Sequence, residues 1–242
     1  MANTSGATSF NLDLTELVEE AFERAGSELR TGYDLRTARR SLNIMFADWA
    51  NRGINLWTIE PGTITLVQGQ NTYPLPNDTI DLLEHVIRTG ANDAATQADL
   101  TITRISVSTY ATIPNKITQA RPIQVWIQRY NGQTTPVSCT LSSTITSTET
   151  ASISISDVTG LPASGFVKID DELINYSYIT QATGAVSGTL NNCFRAQQNT
   201  IAASHTSGAT VYWQQVPAIT VWPTPDNAQE YIFAYWSLRR TQ

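Results

Sequence analysis

Three consecutive acids, Asp170, Asp171 and Glu172, two histidines, His85 and His205, and two cysteines, Cys139 and Cys193, are the side chains of this chain best suited to chemistry. Paired carboxylates can cleave a glycosidic bond or hold calcium. Neighbouring residues on a strand point to opposite faces, so a consecutive triplet does not present two acids across a sugar, and the run reads as a solvated turn between strands. His85 and His205 are far apart, and neither stands beside a Ser or Cys in a recognisable nucleophile motif. Each reads as a surface or core histidine rather than a catalytic base. Two cysteines without a nearby His make no four-ligand zinc pattern and no disulfide framework, so both are expected as free thiols. A Walker loop, a Rossmann fingerprint, an HExxH helix, a nucleophile elbow and an EF-hand loop are all absent from the sequence. These patterns speak against an enzyme.

The acids, His205 and both cysteines lie in one stretch with its own texture. Residues 133–215 are rich in Ser, Thr and Gly, with short alternating runs such as Gly165-Phe-Val-Lys-Ile169 and Thr210-Val-Tyr-Trp213. Short strands at regular spacing predict a small all-β sandwich or barrel with nothing helical in it. On either side, Ile123, Val125 and Ile127 alternate with polar or aromatic residues, as do Ile219 and Val221. The spacing predicts that Val216 to Trp222 and Tyr231 to Leu238 form a hairpin around Pro223-Thr-Pro-Asp, joined by Ile123 to Tyr130 in a three-stranded meander. Residues 133–215 are then an insertion, and 1–132 with 216–242 are a core.

Upstream, Asp13 and Glu16 make a capping box for an amphipathic helix that runs to Gly26. A second helix follows Asp34 and stops at Gly53, with Ala38, Leu42, Met45, Phe46 and Trp49 on one stripe. A short connection at Thr31-Gly32 predicts an antiparallel helix hairpin. Arg36, Arg39 and Arg40 cluster at the start of the second helix, and on their own they read as a solvated face pairing with the glutamates of the first. After Gly53 the period becomes two, with short strands at Trp57 to Ile59, Thr63 to Val67 and Thr72 to Leu75 divided at Pro61-Gly62 and Gln68 to Asn71. Asp81 to Arg88 fits a strand or a helical turn, Leu100 to Ile105 a strand and Ser106 to Ile113 a short helix. Met1 to Ser9 reads as a polar arm and Gly90 to Ala98 as a loop. The class expected is α+β: an N-terminal antiparallel helix hairpin packed with a small antiparallel β region, plus an inserted all-β sandwich or barrel domain.

Net charge is −6, and only Lys116 and Lys168 among fifteen basic residues are lysines. An acidic chain is a poor non-specific binder of nucleic acid, because that affinity comes from clustered cations on phosphates. No apolar run approaches a membrane span, and the N-terminus carries no basic start with an apolar stretch behind it.

Several blocks resemble the head-to-tail adaptor proteins of short-tailed bacteriophages. They are Phe10-Asn-Leu-Asp-Leu14, Glu19 to Gly26, Tyr33-Asp-Leu35, Ala38 to Asn43, Trp49-Ala-Asn-Arg-Gly-Ile-Asn-Leu-Trp57, Arg121-Pro-Ile-Gln124, Ile219-Thr-Val-Trp-Pro-Thr-Pro-Asp226 and Tyr235 to Arg240. The insertion is similar to a β module of phage tail and baseplate proteins, through Gly165 to Glu172, Ile174-Asn-Tyr176, Phe194-Arg195 and His205 to Val211. The resemblance implies a structural virion protein at the head–tail junction, made in the host cytoplasm and needing no cofactor. Its partners would be the portal protein, the tail nozzle protein and, through the insertion, a tail fibre. It would form a homo-oligomeric ring, twelvefold in this family, through which DNA passes without specific binding. Arg36, Arg39 and Arg40 are then candidates for the portal interface. Family members continue into further helices after the Leu-Arg-Arg strand, and this sequence stops at Gln242. The alternative class is a carbohydrate-binding or depolymerising tail component, supported by the aromatic-rich β content alone.

Overall fold

The computed structural model describes residues 13–27, 32–53, 58–90, 95–130, 134–148 and 152–240. The polar arm, the helix connection at Thr31, Ile54 to Trp57 and most of the loop after Gly90 lie outside them. The chain is α+β and divides into two compact units at residues 57 and 58.

The first unit holds helices α1 (Leu14–Arg24) and α2 (Gly32–Asn51). Asp13 caps α1 by accepting from the Thr15 backbone N–H at 2.7 Å, which satisfies one of the first-turn donors that a helix leaves open. The second helix begins three residues earlier than expected, so Asp34 lies in its first turn beside the positive end of the dipole.

In the second unit the strands in chain order are β1 (Ile59–Thr65), β2 (Thr72–Pro74), β3 (Thr79–Thr89), β4 (Ala98–Thr101) and β5 (Thr103–Arg104). Helix α3 (Val107–Ala111) follows, capped by Ser106. Then come β6 (Gln124–Gln128), β7 (Thr134–Thr140), β8 (Ser152–Ile155), β9 (Gly165–Ile169), β10 (Glu172–Gln181), β11 (Gly188–Phe194), β12 (Thr210–Gln214), β13 (Ala218–Trp222) and β14 (Tyr231–Arg239).

Two four-stranded sheets, β1-β14-β3-β4 and β2-β13-β6-β5, face each other across one core. Leu82, Ile87 and Phe233 enter it from the first sheet, and Val125, Ile219 and Val221 from the second. Asp81 to Arg88 is therefore strand.

The expected meander is only half right. β13 pairs with β6 in antiparallel register, Ala218 with Gln128 and Trp222 with Gln124, so the strands flanking the insertion are direct neighbours. β14 lies in the other sheet, between β1 and β3. β2 and β6 occupy both edges of β13, which leaves no edge for a hairpin partner. The link 223–230 instead crosses between the sheets, with Thr224 held by backbone bonds to Thr118 and Ala120.

Pro61-Gly62 does not divide two strands either, because β1 runs through it. Leu66 donates to Tyr231 O, so even-numbered residues of β1 face β14 and the missing N–H of Pro61 faces the open edge. Gly62 is required there because a Cβ would collide with the Tyr235 ring.

Residues 134–214 supply a separate six-stranded sheet, β7-β12-β9-β10-β11-β8. It closes almost into a barrel through a Leu141–Ile155 bridge, with Ser142 N to Ser154 O at 3.0 Å and Ser156 N to Thr140 O at 2.9 Å. Ile153, Ile155, Val167, Ile169, Ile174 and Leu190 fill the interior. The one helical feature among its described residues is a 3-10 turn, Gln197–Asn199.

Barrel and sandwich are packed together. Phe166 and Leu173, on the outer side of β9 and β10, form a second apolar cluster with Val216 and Ala218. Gln70 donates to Gln197 Oε1 at 3.1 Å, Gln198 to Leu75 O at 2.6 Å and Asn192 to Gly69 O at 3.0 Å.

Candidate functional site

The densest polar constellation is built on Glu172, the first residue of β10. Its carboxylate is 1% exposed, the Arg195 side chain 5% and the His205 side chain 2%. Arg195 Nε and Nη2 reach Glu172 Oε1 and Oε2 at 2.7 and 2.6 Å, the bidentate geometry that a planar guanidinium favours. The backbone N–H of Ala196 adds to Oε1 and that of Ala203 to Oε2, each at 3.1 Å, and His205 Nε2 lies 2.8 Å from Oε2. His205 Nδ1 meets Asp170 Oδ2 at 2.7 Å. Arg195 also donates to the carbonyls of Thr146 and Ala203 at 2.8 and 2.6 Å.

The acid triplet is therefore not one solvated turn. Asp170, with φ of 50°, and Asp171 make the turn between β9 and β10. Asp171 points to solvent near Lys168, whereas Glu172 points in. Burial of Glu172 opposes its ionisation, but the hydrogen bonds from Arg195, His205 and the two backbone N–H groups prevail and hold its pKa down to about 2.

A carboxylate so saturated does not accept or give a proton near neutrality, and it has no open face for a substrate. The network knits the segment around Thr146 and both ends of the loop Arg195–His205 onto the β9–β10 hairpin. Asn175 and Tyr176 act in the same way, donating to the carbonyls of Gly165 at 3.0 Å and Pro162 at 2.7 Å. The motif residues of the insertion are thus internal staples.

The other candidates are scattered. His85 lies on β3, stacked on Phe233 at 5.9 Å, with Nδ1 buried and unbonded among the described residues. Burial, with help from nearby Arg104, lowers its pKa against the opposing pull of Glu84 and Asp81. Cys139 and Cys193 are both buried in the barrel core and not joined to each other, and burial pushes the Cys139 thiol up. Arg36, Arg39 and Arg40 are exposed on α2 at helical spacing that puts them on one face. Among the described residues they make no ion pair; the helical pairs are Arg24 with Glu20 and Arg52 with Asp48. The expected pairing with glutamates of α1 is not seen there.

Several aromatic side chains of the sandwich are engaged internally, whereas Trp236 on β14 is exposed. Tyr231, Phe233 and Tyr235 are in the core, Trp126 stacks on Tyr110 at 5.2 Å, and Trp222 donates to Asn115 O at 3.0 Å. No metal-binding group of His, Cys, Asp and Glu occurs among the described residues, and no helix among them is long and apolar enough to cross a membrane. Comparison with protein-family models, curated proteins and solved structures finds no match to this chain.

Proposed function

We propose that the chain is a structural virion protein, the head-to-tail adaptor that joins the portal of a short-tailed bacteriophage to its tail nozzle, assembled as a ring around the DNA path. The observation that carries this reading is the cationic face of α2. Arg36, Arg39 and Arg40 stand exposed and without an ion pair among the described residues of an acidic chain, as a surface built for an acidic protein partner would. The sequence blocks that resemble the adaptor family point the same way. Arg195 and His205 are both bonded to Glu172 inside the barrel, so that cluster holds no open carboxylate for catalysis.

In this reading 1–132 with 216–242 is the adaptor core, and 133–215 is an inserted module that meets a tail fibre or the nozzle. The pairing of β6 with β13 supports that boundary, because the chain leaves one strand and returns on its neighbour. The glycan-binding alternative drew on the aromatic-rich β content, of which Tyr231, Phe233 and Tyr235 are taken up in the sandwich core. Changing Arg36, Arg39 and Arg40 together to glutamate should weaken assembly onto portal rings at least tenfold in co-sedimentation at moderate salt, with an unchanged melting temperature. Undiminished co-sedimentation would overturn the reading.

A further inference from the structure

Beside the seam of barrel and sandwich lies an open groove of two adjoining lobes, about 530 and 640 Å³. Both lobes touch Val67, Gln70 and Gln197, so the Gln70–Gln197 hydrogen bond stands between them. Thr63, Thr65, Gln198 and Asn199 line the first lobe; Gln68, Asn192 and Tyr178 line the second. Among the described residues, the only charged side chain lining either lobe is Arg195, whose guanidinium is bound to Glu172. Clefts between modules with a few convergent polar groups are where small ligands bind most often.

Three features suit this groove to a particular chemistry. First, the amide nitrogens of Gln198 and Asn192 donate inward, to Leu75 O and Asn77 Oδ1 in one case and to Gly69 O and Ser177 Oγ in the other. Their side-chain carbonyl oxygens accept nothing among the described residues and remain for hydroxyl donors. Second, Tyr178 is 47% exposed in the second lobe and offers a flat apolar face. Third, Ala196, Gln198 and Asn199 have φ of 55°, 53° and 60°, and Asn192 has φ of 50°. Along this wall Asn192 and Asn199 take the left-handed region readily, but Ala196 and Gln198 carry conformational strain there, of the kind that gathers at binding sites. The bonds of Ala196 to Glu172 and of Gln198 to Leu75 hold that wall in place.

We infer that this groove binds a neutral saccharide, with ring hydroxyls donating to Gln198 and Asn192 and a pyranose face against Tyr178. An anionic glycan finds no cation but the Glu172-bound Arg195 among the described lining residues. An extended peptide has less use for isolated side-chain carbonyls than for a continuous ladder.

Ligand-observed NMR and calorimetry on the full chain test this, with neutral oligosaccharides as probes: α- and β-glucans, a galactan and N-acetylglucosamine oligomers. A polyuronate and a neutral extended peptide serve as comparisons. At least one neutral glycan should bind saturably. Tyr178→Ala should weaken it tenfold or more and Tyr178→Phe should retain it, both with unchanged melting. Absence of saturable binding to every neutral glycan, tighter binding of the polyuronate or the peptide, or indifference to Tyr178→Ala would each overturn the inference. Portal co-sedimentation of Tyr178→Ala should be normal, which keeps this test separate from that of the adaptor reading.

Discussion

Glu172 is the residue on which the barrel's polar interior depends. Truncating it would take the carboxylate away from the buried Arg195 guanidinium, and the loss of one partner of a buried pair costs about 3 to 5 kcal/mol. Glu172→Ala should therefore lower unfolding free energy by that order in urea titration; a loss below 1 kcal/mol would contradict the network's role. The pH dependence has a definite sign. A carboxyl held at about 2 when folded, against 4.5 when free, stabilises fully above pH 4.5 and loses that stabilisation as pH falls towards 2, roughly 3 kcal/mol in all. His85 acts at higher pH. Its folded pKa is lowered, so the unfolded chain takes up the proton first, and stability declines as pH drops below about 6.5. Melting temperature should accordingly fall in two stages on acidification. His85→Phe, which keeps a ring against Phe233 and removes a buried unbonded nitrogen, should abolish the upper stage.

At the scale of elements, the direct pairing of β6 with β13 makes the barrel an excursion between neighbours in one sheet. Antiparallel partners lie about 5 Å apart, a gap that a short turn closes. Replacing 133–215 by a Gly-Ser turn should leave the sandwich cooperatively folded. Stability should fall by about 2 to 3 kcal/mol, because Val216 and Ala218 lose Phe166 and Leu173 as cover. Calorimetry would show a single smaller transition; the absence of any cooperative transition would show that the sandwich needs the barrel to fold. The apolar plug and the three amide bonds across the seam make the barrel a fixed projection, which suits it to presenting a contact surface.

For the whole molecule, the proposed ring sets a requirement on assembly. Subunits in a ring make head-to-tail contacts, and a ring closed in free solution would compete with assembly on the portal. The net charge of −6 adds mutual repulsion between free copies. Ordering any polar segment on docking adds about 1 to 2 kcal/mol per residue to the cost of association without the template. Light scattering at micromolar concentration should find a monomer alone and a ring after portal is added. A stable ring formed without portal would contradict this.

Periodicity and caps in the sequence determined the elements: α1 with its Asp13 cap, α2, the strands around Val125 and Ile219, and the all-β character of 133–215. These are local properties, set by which residues share a face over a few turns or strand pairs. The α+β class and the adjacency of β6 and β13 follow from them. Tertiary structure alone decided which edges were taken. β13 and β14 read as a hairpin because they are close in sequence, yet each already has two partners, and hydrogen-bonding edges are filled by the whole sheet rather than by the nearest strand. Continuity of β1 through Pro61 likewise depended on which side of that strand stayed open. Glu172 illustrates the same limit at one residue. Its carboxylate is indistinguishable in the sequence from those of Asp170 and Asp171, and its burial follows from Arg195 and His205 arriving from 23 and 33 residues away. The groove wall at Ala196 and Gln198 left no trace in the sequence, because neither type favours the left-handed conformation that the surrounding packing compels.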